Sequence, residues 1–426
     1  MSDKVTYIGT ILSSFPQASQ AIEKLLEIPL GTKRVERLTE RIGAERAGQR
    51  EVEIEAYREL TLTERLDAGP ANVTVPDCCA VMIDGGRHQQ VESNPTSDNH
   101  WFEYKAGICL ELDGTASEID PLPQVPQFLL DEARIRKLTL EIGKKAADLP
   151  AETATVQVDL ERVQNLHEFE AALNTAAIAD VGLAASKSAR DEPLSPPVIS
   201  REVIATQRNC DAMGLLLVAR AWNLGLFQSS RKAFVGAGSS WIWGVWEDHF
   251  RAAEFTPILD LIHAVTYLYA AATAGHPARE GWSIYQDWVK RVWEGDVAQV
   301  INNLSARQTE LGTPSPDDSE TSPRCIVHRA WTYFQNQQDR MNYPEYRKQG
   351  LPITSAHMES TVKEMNRRIK GSEKFWSEEG AEAMLQMKAD TLCDSQPLDA
   401  FWTERHENRT GFYSCVGRRT AKSTSA

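Results

Sequence analysis

The sequence holds no Cys-x-x-Cys pair: its 7 cysteines stand at positions 78, 79, 109, 210, 325, 393 and 415. That spacing excludes a zinc knuckle and offers no disulfide framework, so reduced thiols in a cytoplasm are expected. No apolar run reaches the roughly 18 to 20 residues of a membrane span. Met1 to Phe15 is too polar for a secretory leader, so a soluble protein without a membrane partner is expected. There are no internal repeats, which excludes a solenoid or propeller. A basic surplus is also missing, since the formal net charge is -14. Nucleic acid coating the whole surface is therefore excluded, although local basic strips are not.

What is present is a chain of 426 residues with 42% hydrophobic content, enough to bury a substantial core in two or three domains. Basic residues gather at Lys33, Arg34, Arg37, Arg41, Arg46 and Arg50, at Lys363, Arg367, Arg368, Lys370 and Lys374, and in the tail at Arg405, Arg409, Arg418, Arg419 and Lys422. Any one such run is usually a solvated face. Three in one chain weaken that reading and leave room for phosphate contacts.

Helical spacing at Ile22, Leu25 and Leu26 predicts a helix over Ala18 to Leu26. Pro29-Leu30-Gly31 breaks it, and a basic helix follows from Thr32 to Ala47. That order fits a helix-turn-helix or a two-helix packing element. Cys79 to Ile83 is a buried-strand run ending at Asp84-Gly85-Gly86, and Trp101 to Leu112 a second strand. A helix is predicted over Leu129 to Lys145, strand then helix over Ala151 to Leu183, and a linker over Ser186 to Pro197. Strands at Val198 to Ala205, Lys232 to Val235 and Pro257 to Asp260 alternate with helices at Asn209 to Leu224, Trp241 to Phe250 and Leu261 to Ala274. Gly281 to Leu311, Val327 to Arg340, His357 to Ile369 and Glu378 to Leu392 read as further helices.

Asp84 places a carboxylate where a buried strand meets Gly-Gly, which suits either a metal ligand or an ordinary turn. Glu359 opens a helix on which Val362, Lys363, Asn366, Arg367 and Lys370 share its face. One acid followed by a basic stripe could hold a divalent cation beside a phosphate backbone. It could equally be an exposed helix with an acid favoured by the dipole. His263 reads as a core histidine or a site residue. Trp241, Trp243 and Trp246 read as core or as a base-stacking platform.

Several blocks in order carry a resemblance. They are Asp84-Gly with Trp101-Phe-Glu-Tyr-Lys105; Arg231-Lys-Ala-Phe-Val-Gly-Ala-Gly-Ser-Ser-Trp-Ile-Trp243; Ile258-Leu-Asp-Leu-Ile-His263; and Gly350-Leu-Pro-Ile-Thr-Ser through Glu359 to Ala381. Together, over most of the chain from about Ala18 onward, they resemble the bacterial insertion-sequence DNA transposases of the DDE, ribonuclease-H-like class. The Asp-x-x-His element of Asp260 and His263 is similar to one in Mutator-like relatives.

The resemblance implies an α/β (α+β) fold: a ribonuclease-H-like mixed sheet flanked by helices, with an N-terminal helical DNA-binding segment and a large, mostly helical insertion. It divides the chain into residues 1–75 (helix-turn-helix-like), 76–112 (first part of the core), 113–196 (insertion and linker) and 197–262 (core continued). Residues 263–345 (helical insertion), 346–395 (the Glu359 helix and the next) and 396–426 (basic tail) follow. Asp84 and Glu359 match the first and last catalytic acids and metal ligands. The second position is Ala237, where the family's block has Asp.

Also implied are strand cleavage and strand transfer at element ends, with Asp260 and His263 supporting the site. Lys33, Arg34, Arg37, Arg41, Lys363, Arg367 and Lys370 would contact DNA. The partners would be double-stranded DNA and a second copy in a homodimer, and the location the cytoplasm, at the nucleoid. Such chemistry uses two Mg2+ or Mn2+ ions roughly 3.5 to 4 Å apart. Ala237 weakens that site and impairs this copy. The alternatives are a DNA-binding protein or repressor that has lost catalysis, and a metal-dependent hydrolase with a helical cap.

Overall fold

The structure, a computed structural model, describes residues 1–92, 100–147 and 194–407. The strand and helix expected over 151–183, most of the linker, and Arg409, Arg418, Arg419 and Lys422 lie outside these residues.

The fold is mixed α/β, with an open sheet flanked by helices. Its strands are β1 (Cys78–Gln90), β2 (Trp101–Leu112), β3 (Val198–Thr206), β4 (Arg231–Gly236), β5 (Thr256–Leu259) and the short β6 (Phe375–Trp376). Their order is β3-β2-β1-β4-β5, with β6 beside the far end of β1. β1, β2 and β3 pair antiparallel, while β1, β4 and β5 run parallel. The run Cys78 to Ile83 is buried throughout, as expected of a central strand covered on both faces.

Three helices precede the sheet: α1 (Ser2–Ile11), α2 (Phe15–Leu26) and α3 (Thr32–Glu59). α3 does not stop at Ala47. Ile54 and Tyr57 continue its buried side, and Arg50 donates to the Ala205 carbonyl of β3 at 3.1 Å. An arginine on α3 thus caps part of a sheet edge that would otherwise expose unpaired backbone.

After β2 come α4 (Glu132–Ala147) and, beyond β3, α5 (Cys210–Asn223). α6 (Ser240–His249) links β4 to β5 and α7 (Leu261–Thr273) follows. A helical block then holds α8 (Ala278–Glu294), α9 (Val297–Leu311), α10 (Pro323–Gln337) and α11 (Tyr343–Lys348). The single helix expected over Gly281 to Leu311 is two, because Gly295 adopts φ 88 and turns the chain after α8. The stretch after β2 is tied to this block. Asp120 pairs with Arg347, Trp293 Nε1 donates to the Leu122 carbonyl at 2.9 Å, and the Tyr285 hydroxyl donates to the Leu129 carbonyl at 3.0 Å. α12 (Ala356–Ile369) and α13 (Glu378–Asp390) return to the sheet, against β1 and β3 respectively.

Asp84-Gly85-Gly86 does not end β1, which runs on to Gln90 because β2 stays paired as far as Gln89 opposite Trp101. What ends there is the other neighbour: β4 pairs with β1 only up to Met82 beside Val235. The sheet therefore opens on one side at Asp84. Gly86 serves a close approach, since a Cβ there would lie 2.2 Å from Cζ of the fully buried Tyr104.

Candidate active site at the ends of the parallel strands

Met82 stands beside Val235, and Gly236 beside Leu259. Asp84 thus lies two residues past the last β1–β4 pair, and Ala237 and Asp260 each lie one residue past the last β4–β5 pair. The Asp260 N–H, donating to the Gly236 carbonyl at 2.9 Å, continues the ladder past β5.

Side-chain alternation puts Asp84, Gly86 and the cross-strand Tyr104 on one face. α12 covers that face: the Tyr104 hydroxyl donates to Asn366 Oδ1 at 2.9 Å. Burial, and then the nearby Asp84 charge, hold this hydroxyl well above its usual pKa.

The turn after β4 is gripped from behind by α10. The Tyr333 hydroxyl donates to the Ala237 carbonyl at 3.0 Å, and Gln337 Nε2 donates to the Gly238 carbonyl at 3.2 Å. Gly238 has φ 103, and a Cβ there would meet the Tyr333 ring at 2.6 Å, so only glycine fits this turn without strain. Tyr333 is itself stacked on Tyr267 of α7, with ring centroids 3.9 Å apart.

Asp260 is the N-cap of α7. Its Oδ1 accepts the Ile262 N–H at 2.8 Å, while Oδ2 accepts from His263 Nδ1 at 2.9 Å and from the Ser355 hydroxyl. Although Asp260 is 1% exposed, its carboxyl titrates below the usual range. Burial pushes it up, but the bond and charge of His263, together with the Ser355 and Ile262 donors, outweigh that push. Ser355 also caps α12, its carbonyl accepting the Glu359 N–H at 3.0 Å. One residue thus joins the start of α12 to the start of α7, and a second tie runs from the Leu261 N–H to the Ile353 carbonyl at 3.0 Å.

The result is a trio. One donor atom from each of Asp260, His263 and Glu359 lies within 4.8 Å of the others, so this group could hold a metal ion. Asp260 is buried and the other two half-buried. Asp84 is not in the trio. Asp248 is exposed on α6 and takes no part.

The basic residues divide. Lys33, Arg34, Arg37 and Arg41 are exposed on the first half of α3, and Lys363 and Arg367 are exposed on α12. Lys370 is half-buried, its ammonium 5.5 Å from the Trp101 ring centre. Arg46 and Arg50 instead turn inward to Asp390 and to Glu382 and Gln386, and Arg368 lies buried over Phe15 and Trp376. Trp243 is buried and Trp246 Nε1 donates to the Phe255 carbonyl at 2.8 Å, both packing roles. Trp241 is half-buried, with the Lys105 ammonium 5.6 Å from its ring centre.

Sequence reasoning missed Ser355, Tyr333, Gln337 and Tyr104. A serine just before a helix was a visible signal for the first. The other three act through contacts distant in the chain and leave no local pattern.

No protein-family model matches the chain, and no curated protein matches it. Among the described residues, no helix is long and apolar enough to cross a membrane.

Proposed function

We propose that the chain is a DNA transposase by descent, built on a ribonuclease-H-like core, and that Ala237 leaves this copy able to bind DNA but slow or unable to cleave and join it. The observation carrying this reading is that Asp84, Ala237 and Asp260 all stand just past the last pairs of the parallel strands, with Glu359 in one trio with Asp260. In the family the chain resembles, the first acid ends the first strand, the second follows the fourth strand, and the third rides a later helix; Asp84 departs from this, standing within β1 where the pairing with β4 stops. The chain order of Asp84 on β1, Ala237 after β4 and Glu359 on α12 supports the reading. The mixed strand order, antiparallel through β3-β2-β1 and parallel through β1-β4-β5, supports the same reading.

A bound Mg2+ or Mn2+ would polarise a phosphoryl oxygen and make the attacking water or 3′ hydroxyl more acidic. Glu359 belongs to the trio that could hold it, Asp84 is the second ligand that the resemblance assigns, and the methyl group at 237 offers no oxygen. The residues thus fit fewer cations than the two-ion chemistry uses, and Mg2+, which demands octahedral oxygen ligands, suffers most. Asp260 has a supporting part. Its three hydrogen bonds occupy most of the roughly four acceptor positions of a carboxylate, so it fixes the His263 ring and braces α12 through Ser355. The exposed Lys363 and Arg367 beyond Glu359 would follow the phosphate backbone.

The loss at 237 also favours a second reading, in which the chain binds element ends as a competitor or repressor. Both readings require DNA. The test is binding of the full chain to duplex DNA that flanks its own coding sequence, measured by fluorescence anisotropy across a salt series. Affinity should fall steeply with salt, by a slope of about 0.9 per phosphate neutralised. Binding that is absent or indifferent to salt would favour a hydrolase of small substrates and remove both.

A further inference from the structure

We propose that His263 and Glu359, with Asp260 as the orienting carboxylate, form a site for a single transition-metal ion of the Co2+ or Zn2+ kind in preference to Mg2+. Two carboxylates alone would not discriminate in this way. The imidazole does: nitrogen donors favour the later first-row divalent ions, whereas Mg2+ is held by oxygen and keeps its waters.

Three features support a built site rather than a chance grouping. One ligand atom from each of Asp260, His263 and Glu359 lies within 4.8 Å of the others. The imidazole is oriented by a buried carboxylate, at 2.9 Å between His263 Nδ1 and Asp260 Oδ2, the outer arrangement typical of metal-binding histidines. With Nδ1–H held by Asp260, a metal would take Nε2, whose lone pair is offered when the ring is neutral. Finally, Ser355 connects both halves, donating its hydroxyl to Asp260 and accepting the Glu359 N–H.

Residue 237 is no part of this site. Its loss, which weakens an all-oxygen Mg2+ site, leaves the nitrogen-containing one whole. The proposal stands on these side chains alone and does not depend on DNA being the substrate, so its failure and that of the transposase reading are separable.

The experiment is titration of the metal-stripped full chain with Co2+, followed by calorimetry and visible absorption, with Zn2+ and Mg2+ as competitors. One equivalent of Co2+ should be displaced by Zn2+ and resist a roughly hundredfold excess of Mg2+. His263→Asn keeps an amide donor for Asp260 while removing the ring, and should weaken that equivalent by at least about tenfold, as should Asp260→Asn. Glu359→Gln, at a half-buried helix position, supplies the same reading if the His263 variant does not fold by circular dichroism. Displacement by equimolar Mg2+, an equivalent unchanged in His263→Asn or Glu359→Gln, or a thiolate-to-Co2+ charge-transfer band would each overturn the proposal.

Discussion

The Tyr333 hydroxyl donates to the Ala237 carbonyl at 3.0 Å, so the position where a second acid would stand is held in place by a residue 96 positions away. With Gln337 holding the next carbonyl, the turn after β4 owes its shape to α10 rather than to the side chain at 237. Tyr333→Phe removes the donor and leaves the ring to stack on Tyr267. The expected loss is about 1 to 2 kcal/mol in urea unfolding. A loss below about 0.5 kcal/mol would show that water replaces the hydroxyl.

Gly86→Ala tests the crossing of β1 by Tyr104. The new methyl would stand 2.2 Å from Cζ of a ring that is fully buried and bonded to Asn366, so ring or strand must shift. The expected cost is about 1 to 3 kcal/mol. Combined with Tyr104→Leu, the cost should be less than the sum of the two single variants, because both act on one contact. Strict additivity would contradict the packing described.

Acid sensitivity should arise at His88 of β1. Its side chain is fully buried with Nδ1 unpartnered, and burial pulls its pKa down to about 4 against the opposing influence of Gln207 and Glu382. Gln90, Phe102 and Tyr104 complete its surroundings. The fold thus favours the neutral ring. Its contribution is complete above the ordinary value of about 6.5 and is lost as pH falls from there through the lowered value. Melting temperature measured from pH 7 to pH 4 should fall less steeply in His88→Phe than in the parent. Parallel curves would show that His88 charges without cost.

The arginines of α3 should separate into two kinds. Arg46→Ala takes the ion pair from the buried Asp390 carboxylate, which keeps the Gln386 amide, and should cost about 3 to 5 kcal/mol. Arg37→Glu and Arg41→Glu, at exposed positions, should leave unfolding nearly unchanged. If the proposed DNA contacts form, they should weaken binding along with Lys363→Glu and Arg367→Glu, each lowering the salt slope by about 1. Unaltered slopes in all four would remove these residues from the interface.

Much of this architecture could be read from local pattern. Buried runs such as Ala233 to Val235 and helical spacing such as that of α12 announce themselves within a few residues. Boundaries were legible where a capping group marks them, as at Asn209 and Asp260. The continuation of β1 beyond Asp84 was not, because glycines that admit a distant tyrosine look like glycines that make a turn. The basic face of α3 also misled: Arg46 and Arg50 are indistinguishable in sequence from Arg37 and Arg41 until α13 supplies Asp390 and Glu382. Asp260 and His263, three residues apart, were visible as a pair. Their tie to Glu359 through Ser355 needs the fold.

The most direct test of the account is strand cleavage by Ala237→Asp beside the unaltered chain, on duplex DNA flanking its own coding sequence, with Mg2+ and with Mn2+. The added carboxylate should raise cleavage by at least about a hundredfold, since each factor of ten needs only about 1.4 kcal/mol of transition-state stabilisation. Asp84→Asn or Glu359→Gln placed in that background should abolish the gain. Equal cleavage by the unaltered chain and Ala237→Asp, or a gain that survives loss of Asp84, would contradict it.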